Sequence, residues 1–182
     1  VPISYYNATR LNGDPACARV LFVGEDNPYG RAPEFALHCE PSNCSGERLQ
    51  RLICGMRPRT YLATWRTNLC VDAWSNRLAV ERAELLTLPD VPWRAIVMLG
   101  AKVARAFAAA TALALRPFEW SPMTIAEPGD AVLVALPHPS GLNRAWNGPE
   151  AFARARRLLV ERVPGPPWGE HDPRPAPAPV VA

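Results

Sequence analysis

The stretch RAIVMLGAKVARAFAAATALAL, Arg94–Leu115, decides the fold. Its first half is a continuous apolar, β-rich run that stops at Gly100. From Ala101 onward the apolar residues return at helical spacing, with no gap between the two patterns. An unbroken apolar run, rather than an alternating one, marks a strand buried on both faces. A buried strand that passes straight into a helix is the repeating half of a parallel α/β sheet.

The same alternation extends in both directions. ARVLFVG (Ala18–Gly24), TYLATWRTNL (Thr60–Leu69) and DAVLVALPHPS (Asp130–Ser140) read as three further strands. SGERLQRLIC (Ser45–Cys54), with Ser45 as N-cap, and DAWSNRLAVERAELLTL (Asp72–Leu88) read as helices. GPEAFARARRLLVERV (Gly148–Val163) is a third, with Pro149 in its first turn and Phe152, Ala155, Leu159 and Val163 along one side. The pattern predicts a parallel sheet covered by helices on both faces, formed by one domain over residues 1–163. Pro164–Ala182 holds seven prolines and no periodicity, and is expected to be disordered or extended.

Composition narrows the class. The chain has 182 residues, 48% hydrophobic and 20% charged, which suits one soluble domain with a real core. The net charge of +3 provides no strongly basic tail, so a nucleic-acid face has to concentrate arginine locally. Only Lys102 among the 20 basic residues is a lysine. No apolar run reaches the 18 residues of a membrane span, and the first residues lack the pattern of a signal peptide. Five cysteines at irregular spacing fit a reducing cytoplasm better than a disulfide framework. The gaps between Cys39, Cys44, Cys54 and Cys70 match no CxxC knuckle, so no metal is expected.

Parallel sheets bind ligands beyond the carboxyl ends of their strands. Two strand exits are rich in polar and special residues: GEDNPYG (Gly24–Gly30) and LPHPSGLNR (Leu136–Arg144). The first sets Glu25, Asp26 and Asn27 at the sheet mouth, stiffened by Pro28, with Tyr29 as a planar wall. An Asx-turn with a solvated acidic tip accounts for these residues equally well. The second holds His138 between two prolines and carries Leu142 between Gly141 and Asn143, where an outward tip is expected.

Taken together and in this order, GEDNPYG and HPSGL resemble the two motifs of the uracil-DNA glycosylase superfamily, GQDPYH, GINPG or GEAPG after the first strand and HPSPL after the last. The resemblance covers roughly Ala18–Val163. It implies a three-layer α/β/α fold around a four-stranded, mainly parallel sheet. It also implies a monofunctional DNA glycosylase, working without cofactor or metal. Such an enzyme flips a uracil or modified pyrimidine out of DNA and hydrolyses its N-glycosidic bond.

The same resemblance implies roles for individual residues. His138 faces an oxygen of the leaving base, and Asp26 or Asn27 positions water and stabilises the sugar cation. Counting from Gly24 selects Asp26, whereas counting back from Pro28 selects Asn27; Asp26 is favoured on its chemistry. Asn68 reads the pyrimidine edge with one donor and one acceptor. Phe35 is the stacking aromatic, with Leu37 and His38 as neighbours that could replace it, and Tyr29 matches the residue that blocks a 5-methyl group. Ser140, Gly141, Leu142, Asn143 and Arg144 contact DNA, Leu142 as a wedge in the space left by the flipped base. Trp146 either braces the strand or packs under the loop. DNA is the expected partner and a monomer the expected state. The alternative is a non-catalytic DNA- or base-binding protein on the same fold.

Overall fold

The computed structural model describes residues 11, 13–14, 19–26, 33–71, 73–88, 93–123, 131–163, 165–166 and 168–169. Five strands form one sheet in the order β2-β1-β3-β5-β4: β1 (Val20–Gly24), β2 (Trp65–Asn68), β3 (Ala95–Leu99), β4 (Glu119–Met123) and β5 (Ala131–Leu136). β2, β1, β3 and β5 are parallel, and β4 is antiparallel to β5 at the edge.

The expected four strands are therefore joined by a fifth. β4 reads EWSPM, in which Glu119, Trp120 and Pro122 are exposed. It has neither a continuous apolar run nor a clean alternation. Proline is tolerated there because an edge strand needs no ladder donor on its outer side.

Strand two is shorter than its sequence suggests. Thr60–Ala63 belongs to a helix, α2 (Pro58–Ala63), and only Trp65–Asn68 is strand. Pro58 opens that helix, where its missing N–H is no loss. The first helix, α1 (Ser45–Arg48), runs on as a π-helix (Leu49–Cys54). Its N-cap is Cys44 rather than Ser45: the Cys44 Sγ accepts from the Glu47 N–H at 3.3 Å. The remaining helices are α3 (Asn76–Leu86), capped by Ser75, α4 (Ala101–Thr111) and α5 (Pro149–Arg162).

Alternate residues of the strands feed two cores. Leu21, Val23, Ile96, Met98 and Leu133 pack against Ala79, Ala83, Val103 and Phe107 of α3 and α4. Val20, Phe22, Val97, Leu99 and Val134 pack against Leu49, Ile53, Ala155 and Leu159 on the other face. This is the three-layer α/β/α arrangement, and it buries the parallel strands on both sides. After α5, the Trp168 indole donates to the Val163 carbonyl at 3.0 Å and meets Phe22 edge-on. Among the described residues no helix is long and apolar enough to cross a membrane.

The topology sets where the site lies. The chain leaves β1 for β2 on one side and returns to β3 on the other. The carboxyl ends of β1, β2, β3 and β5 therefore open on one crevice, the usual ligand position in such sheets.

Candidate functional site

A cavity of about 230 Å³ lies at those strand ends. Asp26, Phe35, Asn68, His138, Ser140 and Gly141 all line it. Six candidates from distant parts of the sequence thus share one site. Asn27 and Tyr29 lie outside the described residues.

His138 is fixed by its own loop. Its carbonyl accepts from the Trp146 indole at 2.8 Å and from Asn143 Nδ2 at 3.1 Å. Its ring Nδ1 accepts the backbone N–H of Ser140 at 3.3 Å. An acceptor nitrogen carries no proton, so in the neutral ring the proton sits on Nε2. Burial lowers the His138 pKa from its ordinary value; the negative charges of Glu25 and Asp26 oppose that shift and Lys102 reinforces it. The net direction favours the neutral imidazole, a hydrogen-bond donor without a charge.

Asn68 ends β2, with its side chain buried. Among the described residues its Oδ1 is buried and has no hydrogen-bond partner. A buried acceptor left unpaired is costly, and Asn68 is among the residues that line the cavity. Gly24 makes room for it: a Cβ at that position would collide with Asn68 Oδ1. The two strands stay paired just beyond their ends, where the Leu69 N–H donates to Gly24 O and the Cys70 N–H to Glu25 O. This pairing holds the acidic loop beside Asn68.

Asp26 follows Glu25 at the cavity and is exposed. The two carboxylates differ in their partners. Glu25 pairs with Lys102 Nζ at 3.0 Å, whereas Asp26 has no ion pair or hydrogen bond among the described residues. Gly100, at φ +108°, permits this packing, because a Cβ there would lie 2.7 Å from Glu25 Oε1 and 3.2 Å from His138 Cβ. The Glu25–Lys102 pair was not singled out from the sequence. The available signal was the lone lysine placed two residues after a strand-ending glycine.

Phe35 is 45% exposed and meets His38 edge-on, with ring centroids 6.1 Å apart. Leu37 and His38 line the same cavity. Leu37 has φ +51°, and the Tyr61 hydroxyl holds its carbonyl at 2.7 Å. Asn43, Cys44, Ser45 and Gly46 also line the cavity, through the start of α1. Sequence reading placed that turn only as a helix start.

At the rim the loop turns outward. Leu142 is 95% exposed, and Arg144 is exposed beside it. Asn143 points inward, capping the following turn through Oδ1 to the Ala145 N–H at 3.0 Å. Trp146 packs beneath the loop, 4% exposed and stacked on Phe152 with centroids 5.1 Å apart. Among the described residues no three His, Cys, Asp or Glu side chains are grouped to hold a metal ion.

The family model of the uracil DNA glycosylase superfamily matches residues 12–160. No curated protein matches the chain.

Proposed function

The chain belongs to the uracil DNA glycosylase superfamily, and we propose that it is a monofunctional DNA glycosylase that removes uracil or a modified pyrimidine from DNA. The observation that carries this reading is the shared cavity. His138, whose neutral ring carries its proton on Nε2, and Asn68, whose buried Oδ1 has no hydrogen-bond partner among the described residues, both line it, and an exposed leucine follows directly on its rim.

The chemistry follows from those groups. The extruded base enters the cavity, and its pyrimidine edge bonds to the side-chain amide of Asn68, which turns to offer one donor and one acceptor. His138 Nε2–H donates to a ring oxygen of the base. That bond strengthens as the C1′–N1 electron pair leaves with the base, because negative charge grows on the oxygen. Asp26 holds a water below the sugar, and its charge stabilises the cationic sugar. The water oxygen bonds to C1′ and passes its proton to Asp26. Phe35 stacks on the base, and Ser140, Gly141 and Arg144 hold the strand. We assign this activity to residues 1–163.

A panel of oligonucleotides tests the reading. Each carries uracil, a thymine mismatch, hypoxanthine, hydroxymethyluracil or a modified cytosine, and hot alkali cleaves any abasic site. Cleavage at one or more pyrimidines is expected. Tight DNA binding with no cleavage across the panel would favour a non-catalytic binding protein instead.

A further inference from the structure

We propose that Arg48 binds a DNA phosphate next to the extruded nucleotide, joining helix α1 to the loop that carries His138. This inference rests on the DNA-acting reading above, but not on base release. Arg48 Nε donates to the Pro139 carbonyl at 2.9 Å. Its guanidinium lies over the Phe152 ring, 5.9 Å from the centroid, and Phe152 stacks on Trp146. Trp146 in turn holds the His138 carbonyl. Arg48 thus supports the loop at the residue after His138, while Trp146 supports it at His138 itself.

Only Nε is used in that support. Among the described residues, Nη1 and Nη2 make no hydrogen bond or ion pair. Nη1 lies 4.0 Å from the place a Cβ on Gly141 would occupy. Gly141 lines the cavity and is followed directly by the exposed Leu142.

The path of the strand gives those nitrogens a ligand. One nucleotide sits in the cavity, and Leu142 stands where it left the stack. The sugar-phosphate chain that connects the two positions has to cross the rim at Ser140–Gly141. A guanidinium held at that rim by Nε presents its remaining N–H groups to a phosphodiester, the planar recognition for which arginine is suited. A bare Gly141 leaves the approach open.

The test uses the full chain and a duplex with one stable abasic-site analogue, so no base needs to be recognised. Arg48→Gln keeps an N–H near the Pro139 carbonyl and removes the cation. The variant should lower the slope of log K against log salt by about 0.9, the effect of one lost phosphate contact. Methylphosphonate replacement of single phosphates should then locate the contact. The wild type should lose affinity about tenfold at one phosphate flanking the abasic site, the size of one charge-assisted bond. Arg48→Gln should be insensitive to the same replacement. An unchanged salt slope, or an equal methylphosphonate loss in Arg48→Gln, would overturn the proposal. So would a wild type indifferent to every flanking replacement, a result that needs no variant to fold. An inactive panel with the Arg48 effects intact would sink the catalytic reading and leave this one standing.

Discussion

Truncating Leu142 separates the unstacking of the base from the chemistry that follows. The side chain is 95% exposed, so Leu142→Ala removes no contact from the folded protein and should leave its melting temperature unchanged. Under the proposed function the side chain fills, in a duplex, the gap left by the extruded base. Leu→Ala deletes three carbons, and at about 0.8 kcal/mol for each buried one the loss is ~2.4 kcal/mol. That corresponds to roughly a 50-fold slower excision at sub-saturating protein. A single strand has little stacking to replace, so the same variant should act on it within about twofold of the wild type. The assay is single-turnover base release from matched duplex and single-stranded substrates. The ratio of the two effects cancels any general loss of active protein. Equal losses on both substrates would show that Leu142 is not a wedge.

Three further outcomes follow from the cavity. Asp26→Asn should slow single-turnover release by about two to four decades with DNA affinity nearly unchanged; a mild Asp26→Asn beside a crippling Asn27→Ala would move the water to Asn27. Asn68→Asp should shift base choice toward cytosine in a competition between uracil and cytosine strands, and an unchanged preference would remove Asn68 from the base edge. His138 should act as a neutral donor, and because burial lowers its pKa, its acid limb in a pH–rate profile should fall below the ordinary histidine value. The unfolded chain binds that proton more readily, so the same residue makes stability decline as pH falls from the ordinary value through the lowered one. A His138 limb at or above the ordinary value would contradict the assignment.

Much of this architecture was legible in the residue pattern, for a physical reason. β1, β3 and β5 are buried on both faces, so their apolar runs are unbroken and end sharply at Gly24, Gly100 and Pro137. β4 was not legible, because an exposed edge strand needs neither an apolar run nor a full set of donors. TYLA at Thr60–Ala63 misleads because Tyr61 is buried in helical form just as it would be in a strand. Within the site, the loops after β1 and β5 announced themselves by unusual composition. The turn at Asn43–Gly46 did not, since its place beside the cavity comes from the tertiary path alone. Arg48 was hidden for a related reason. It occupies an ordinary helical position, and only the fold brings it to Pro139, 91 residues away.

The central claim is that this protein breaks the bond between a pyrimidine and its sugar. Its most direct test measures free base and abasic sites in the same single-turnover reaction on a uracil- or modified-pyrimidine-containing strand, with the Asp26→Asn, His138→Ala double variant in parallel. Free base and alkali-labile sites should appear one for one with the wild type, and neither should appear on that timescale with the double variant, although it still binds the strand. Saturating binding by the wild type with every base still attached to its sugar would contradict the account.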